Sequence, residues 1–347
     1  MLYITLIEII SVKCIINMKR ITQRGDKMAT IEEVAKMARV STATVSRVLN
    51  NSGYVSEKTR LKVWQAMRKL GYKPQISARA LASKRLFHVA VVISQRIANL
   101  LASEVGVFYD VVLSSINDNE EFFRFNTTVV MLERIPQKNF DGYLIIGSDA
   151  SEEQIKPLEK MGKIVLVDHY IDGLGIDCIL SDGYDGIFRV TERFINKGIK
   201  NIIHLHGPLK YYGFKDRYTG YIAAMQKHSL LPICYEYDDL NEEVEPVLRK
   251  ILRDRKPEVI LCSNDIIAIK VLRKLREWKY RIPEEISVVG FDDIPQAEAE
   301  SLSTLRVQKY EMGFNAVKRL YELLMGHSHH PFRLCLYTMF VKRDSSI

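Results

Sequence analysis

Cysteine pairs, membrane-length apolar runs and glycine-rich phosphate loops are all missing from this 347-residue chain. Its five cysteines, Cys14, Cys178, Cys234, Cys262 and Cys335, are odd in number, scattered, and contain no CxxC pair. That argues against a disulfide scaffold or a structural zinc site and fits a reducing compartment. The apolar run near residues 3–16 is interrupted by Glu8 and Lys13 and is too short to span a bilayer, which takes about 20 residues. It lacks a basic leading segment and a small-residue cleavage site, so it makes a poor signal peptide. There is no P-loop, no GxGxxG after a strand, no HExxH and no GxSxG. The sequence therefore nominates no catalytic residue, no metal site and no cofactor.

What is present is an ordinary globular composition, 47% apolar and 27% charged, on a chain long enough for about two or three domains. The net charge of +8 is unevenly spread. Residues 28–85 carry twelve Lys/Arg against three Glu, residues 1–27 carry five against two acids, and the remainder is net −4. A compact basic module on a mildly acidic body is the electrostatic footprint of a nucleic-acid binder, though a solvated basic face would look the same. Residues 1–27 read as a non-native or disordered extension, because Met28 opens MATIEEVAKMA like a protein start; a membrane anchor is the alternative.

Three short helices can be read in the basic module. Thr30 is a suitable N-cap, with Glu32 and Glu33 in the first turn where the helix dipole favours acids. Ile31, Val34, Ala35 and Ala38 form a stripe at helical spacing. Arg39-Val40 makes a tight break, and Ser41 caps a second helix over 42–49. A third runs from about Ser56 to Leu70, stopped by Gly71. On the second helix Val45, Val48 and Leu49 face inward, leaving Thr42, Ala43, Ser46 and Arg47 outside. Small residues let a helix approach base edges, and an arginine fork suits guanine O6 and N7. A basic helical hairpin without a partner is the plainer reading.

The stretch TIEEVAKMARVSTATVSRVLNNSGYVSEKTRLKVWQAMRKLGYKP, residues 30–74, closely resembles the head of the LacI/GalR family of bacterial regulators. The resemblance implies base-reading positions at Thr42, Ala43 and Arg47. It implies backbone contacts at Ser41, Thr44, Asn50, Tyr54 and Thr59, which position without specifying. Arg39 departs from the pattern, since the family usually has Gly there. In residues 75–87 the resemblance implies a hinge helix that folds when two chains sit on DNA. Ala78 would pack against its partner copy and Leu81 would wedge into the minor groove, exchanging base stacking for a bent duplex.

From 88 to 347 strands and helices alternate. Apolar runs at 88–93, 142–146, 163–167, 177–180, 201–206, 258–262 and 287–290 predict buried parallel strands. Helical patterns fill 184–197, 218–228, 244–253 and 266–278. The family likeness continues through HGPL (206–209), DRYTGYIAAM (216–225), CSNDIIAIKVLRKLREWKYRIPEEISVVGFDDI (262–294) and LSTLR (302–306). It implies a periplasmic-binding-protein-like α/β body of two doubly wound parallel-sheet subdomains. The N-subdomain would cover about 88–198 and 306–330, and the C-subdomain about 199–305 and 331–345. The likeness is weak over 94–137, where the family's N-P-F-F turn is replaced by Ile97-Ala98-Asn99-Leu100.

By the same resemblance Arg217, Asn264 and Asp292 contact an effector in the cleft, with Asp182 and Asp168 as weaker candidates. Polyols suit such a cluster, because each hydroxyl both donates and accepts. The plainer alternative is an ion pair between subdomains, Arg217 with Asp292. Val307 stands where many sugar-responsive members carry Gln, and Lys309 near a frequent sugar-stacking aromatic; a lysine there suits a phosphorylated or acidic ligand, or is solvent-exposed. His204 and His206 alternate on one strand without a third metal ligand and read as buried histidines.

The resemblance thus implies a cytoplasmic, homodimeric transcriptional regulator and not an enzyme. It would repress carbohydrate-utilisation genes at a pseudo-palindromic double-stranded operator, under a sugar or sugar-phosphate effector. The alternatives are a global catabolite regulator with a phosphoprotein corepressor and, from another class, an α/β enzyme with an appended head.

Overall fold

The structure, a computed structural model, describes residues 30–49, 55–70, 85–103, 107–136, 140–238, 240–328 and 330–347. Residues 1–27, Asn50, Tyr54, Ala78 and Leu81 lie outside the described residues. The chain divides into two compact units at Leu86/Phe87.

The first unit holds α1 (Ile31–Ala38), α2 (Thr42–Leu49) and α3 (Glu57–Leu70). A reciprocal capping box opens α1. The Glu33 amide donates to Thr30 Oγ1, and the Thr30 amide donates to the Glu33 carboxylate at 2.8 Å. Arg39 closes it in the left-handed region, φ 56° and ψ 50°. Ser41 Oγ accepts from the Thr44 amide at the start of α2, and Ser56 Oγ accepts from the Thr59 amide at the start of α3. The stripes of the three helices meet in one small core of Val34, Ala35, Ala38, Val45, Val48, Val63, Ala66 and Met67.

The second unit contains two parallel sheets among the described residues. Its N-subdomain elements are β1 (Phe87–Ile93), α4 (Gln95–Leu101), α5 (Val107–Asp118), α6 (Glu120–Phe123), β2 (Phe125–Met131), β3 (Gly142–Ile146), α7 (Glu152–Glu159), β4 (Lys163–Val167) and β5 (Asp177–Ser181). The chain then builds α8 (Gly183–Ile195), β6 (Ile202–His206), α9 (Tyr212–Lys227), β7 (Cys234–Glu236), α10 (Val244–Arg255), β8 (Val259–Cys262), α11 (Asp265–Glu277), β9 (Ser287–Val289), α12 (Pro295–Ala299) and β10 (Thr304–Arg306). It returns through α13 (Lys309–Leu324), β11 (Arg333–Leu336) and β12 (Met339–Val341). The first sheet has the order β11-β5-β4-β3-β1-β2 and the second β7-β6-β8-β9. Every pairing in both is parallel. Strands such as β3, β5 and β8 are buried at every position, as sheets covered on both faces require.

Both sheets reverse their strand order beside their first strand, between β1 and β3 and between β6 and β8. In open α/β sheets the crevice outside the carboxyl ends of such strands binds ligands.

The subdomain limits differ from those implied by resemblance. Strand β11, assigned to the C-subdomain, pairs with β5 (Cys335 opposite Leu180) and so completes the first sheet. Helix α8, assigned to the N-subdomain, packs chiefly on α9 of the C-subdomain. The chain therefore crosses between subdomains after Ser181, after Arg306 and after Leu336. The helical pattern could not show this, since an amphipathic stripe records that a face is buried and not against which sheet.

Candidate functional site

On α2, Thr42, Ala43 and Arg47 are exposed on the side away from buried Val45 and Val48. Ser41 is exposed, and Thr44 and Thr59 are half-buried. The exposed face of α2 thus combines small side chains at its start with an arginine one turn on, the arrangement that base readout needs.

In the body, the carboxyl ends of the strands converge on a cavity of about 80 Å³. Arg96 follows β1, Ser148 follows β3 and Asp168 follows β4; Asn264 follows β8 and Asp292 follows β9. Arg217 reaches in from α9. Four of the five effector candidates, Arg217, Asn264, Asp292 and Asp168, therefore line one cavity. Asp182 is set apart: its carboxylate accepts the Asp185 amide at 3.0 Å as the N-cap of α8 and is not part of that lining.

Arg217 is buried with its guanidinium carbon 3.8 Å from the centre of the Phe291 ring. It donates to the Ser263 carbonyl and, at 3.3 Å, to Asp292 Oδ1. The ion pair weighed from sequence exists, but both partners belong to the C-subdomain and both line the cavity. Among the described residues the buried Arg217 Nε has no hydrogen-bond partner, and orphaned buried donors are uncommon in folded chains. Asn264 caps α11 by accepting the Ile267 amide at 2.8 Å. That fixes its amide orientation and leaves Nδ2 as its donor.

Asp168 takes the left-handed region at φ 56°, and Asp292 lies at φ 115°. Backbone conformations of this kind cost of order 1–3 kcal/mol and persist where surrounding structure enforces them. Burial drives the Asp168 carboxyl up to about 6, with Arg217 opposing and Asp292 reinforcing the rise. Tyr109 donates to its Oδ2 at 3.1 Å. Asp265, next to Asp292 in space, supports the strained turn: its Oδ2 accepts the Ile294 amide at 2.9 Å and its Oδ1 the Thr304 hydroxyl at 2.6 Å. Burial raises this carboxyl to about 8.

Lys309 is buried, which excludes the solvent-exposed alternative. Its Nζ donates to the backbone carbonyls of Asp292 and Asp293, and it does not line the cavity. Burial lowers its pKa. Val307 is buried too. His204 and His206 are buried on β6; burial drives His204 down to about 3 as its ring lies 5.3 Å from that of Tyr221. No group of three or more His, Cys, Asp or Glu among the described residues could hold a metal ion.

Sequence reasoning missed Arg96, Phe108, Tyr109, Tyr211 and Phe214, all in the cavity wall. The first three fall in the stretch that matches the family poorly. Arginine after an apolar strand was the available signal there, but its partner Asp149 is distant in sequence.

Comparison with known proteins agrees with this architecture. The profile of "Bacterial regulatory proteins, lacI family" matches residues 30–75, and that of the "Periplasmic binding protein-like domain" matches 191–346. The HTH-type transcriptional repressor PurR of Vibrio atlanticus is 30% identical over 340 residues, covering 92% of this chain and 98% of that protein. The ribose operon repressor of Halalkalibacterium halodurans is 29% identical over 333 residues, covering 92% and 97%. A crystal structure of the Lac repressor dimer bound to operator and the anti-inducer ONPF superposes with a TM-score of 0.67 at 25% identity, covering 92% of this chain and 100% of that one. The chain is a DNA-binding transcriptional regulator, and it belongs to the lacI family.

Proposed function

We propose that this protein is a cytoplasmic homodimeric repressor of carbohydrate-utilisation genes that binds a pseudo-palindromic operator and responds to a neutral sugar. The carrying observation is the cavity formed where the switch points of both sheets meet, lined by Arg217, Asn264, Asp292 and Asp168. Its mixture of donors and acceptors suits hydroxyl groups. Its ionic groups are matched internally, Arg217 with Asp292 and Arg96 with Asp149, while Asp168 adds a further acid. Both cations among the residues that line the cavity, Arg96 and Arg217, are already paired with carboxylates, so a phosphorylated or carboxylate ligand would add negative charge to a wall that is already balanced. Lys309, the residue that favoured such a ligand in the sequence, is committed to backbone carbonyls. The ribose operon repressor among the relatives supports the sugar reading.

Two identical heads would read the two half-sites, so that the dimer's symmetry mirrors the operator's. Sugar closing the cleft would reset the hinge segments through Leu81 and Ala78. Among the described residues no helix is long and apolar enough to cross a membrane.

The test is a salt titration with footprinting on DNA upstream of the protein's own gene, with and without sugars. A protected pseudo-palindrome with a steep salt slope, altered by a neutral sugar, supports the proposal. Weak, sequence-independent binding under all conditions would instead favour a phosphoprotein corepressor.

A further inference from the structure

Arg96 is held by Asp149 and Tyr211, and Asp149 is itself fixed by Ser94. Ser94, at the end of β1, caps α4 by accepting the Ile97 amide, and it donates to Asp149 Oδ2 at 2.8 Å. Asp149 in turn receives two bonds from Arg96, from Nε at 2.6 Å and from Nη2 at 3.1 Å. Across the cleft, the ring of Tyr211, the N-cap residue of α9, lies 4.4 Å from the guanidinium carbon. A guanidinium fixed by a bidentate carboxylate and an aromatic face has almost no freedom left. Yet the fork is only half used. Among the described residues Nη1 makes no hydrogen bond, and Arg96 forms part of the cavity wall.

We propose that Arg96 is a specificity-determining residue of the cleft, which donates from Nη1 to an acceptor oxygen of the bound sugar. This rests on the reading of the cavity as the effector site. Asp149 neutralises the charge while leaving the donors in place, so Arg96 selects for an oxygen at a fixed position and does not demand an anion. Its stack on Tyr211 makes that selection depend on closure, because the donor from the N-subdomain is aligned by a ring from the C-subdomain. A ligand that satisfies Arg96 and Arg217 together must bridge the two subdomains.

The test uses the full chain and a panel of D-ribose, D-glucose, D-galactose and D-glucose 6-phosphate, with calorimetric titration and thermal unfolding. The tightest-binding member is then the probe for Arg96→Met, Asp149→Asn, the double variant, and Arg217→Met. Methionine keeps an unbranched, uncharged stem, two atoms shorter, and removes the donors. Arg96→Met alone strands Asp149 and lowers stability; the double variant relieves this and keeps the question answerable if the single variant does not fold. The expected result is a loss of affinity of about tenfold or more in both Arg96→Met and the double variant, while the double variant recovers the unfolding midpoint. Recovery of affinity together with stability in the double variant, with Arg217→Met still deficient, overturns the role of Arg96 and leaves the cleft reading intact. Unchanged affinity in both Arg96→Met and Arg217→Met, or no binding of any panel member to the wild type, overturns the cleft reading and this proposal with it.

Discussion

Arg39 occupies a left-handed conformation that glycine adopts freely and an arginine does not. Its side chain is exposed, and its amide closes α1 through bonds to the Ala35 and Lys36 carbonyls. Arg39→Gly should therefore stabilise the protein by about 1 kcal/mol, read as a higher urea midpoint, because the strain is local and no packing is lost. Arg47 is the opposite case, since it contributes nothing to the head's buried core. Arg47→Ala should leave the unfolding midpoint unchanged and weaken operator binding by roughly 1–3 kcal/mol. A binding-site selection should show relaxed preference at one base pair per half-site. Asp168 carries a pH signature. Burial raises its carboxyl from 3.8 to about 6, so between those values the folded chain holds a proton that the unfolded chain has released. Its contribution is fully present below about pH 4 and is lost as pH rises through about 6. The stability of the wild type relative to Asp168→Asn should fall across that window and level off above it, as denaturant titrations at several pH values would show.

At the scale of elements, the site depends on how closely α8 and α9 approach. A Cβ at Gly220 on α9 would collide with the Tyr184 carbonyl of α8, and one at Gly183 would lie 2.9 Å from the Arg217 side chain. These glycines let the helix that carries Arg217 sit against the one that begins just after the first crossover. Gly220→Ala should cost about 1–3 kcal/mol in stability. It should also reduce sugar affinity by shifting Arg217, which titration calorimetry would separate from simple unfolding by the fraction of active sites. The seven strands expected from apolar runs all appear within one residue of their limits. The strands that escaped notice are β2, β7, β10, β11 and β12. Of these, β2, β7 and β11 are sheet edges and β10 and β12 form a separate two-stranded ribbon. Edge strands need only partial burial, and β2 (FNTTVVM) carries exposed Asn126 and Thr128 where the interior strands β3 and β5 are buried at every position.

For the whole molecule, the cavity lies in one compact unit and α2, the helix proposed to read DNA, in the other. Regulation therefore requires a coupling free energy between two separate sites. Such coupling is reciprocal. If a sugar changes operator affinity by some factor, saturating operator must change sugar affinity by the same factor. Titrating sugar with and without operator checks this, and unequal factors would show that the two ligands do not share one equilibrium between two states. The proposed route through the hinge predicts that Leu81→Ala weakens operator binding while the sugar affinity of the free protein stays unchanged.

Local features were legible from sequence because their physics is local. Helix caps such as Thr30 and Ser41 act within three residues, and an apolar run announces a buried strand wherever it lies. Arg217, Asn264 and Asp292 could be named in advance through family likeness, and the fold then brought them together. Only the tertiary structure decided that Asp182 stays out of the cavity wall, that Lys309 is buried on backbone carbonyls, and that β11 belongs to the first sheet. The same holds for Arg96, whose role follows from Asp149 and Tyr211, residues that share no sequence pattern with it. A contact between distant segments depends on how two sheets are stacked and crossed, and no periodicity in the chain encodes that.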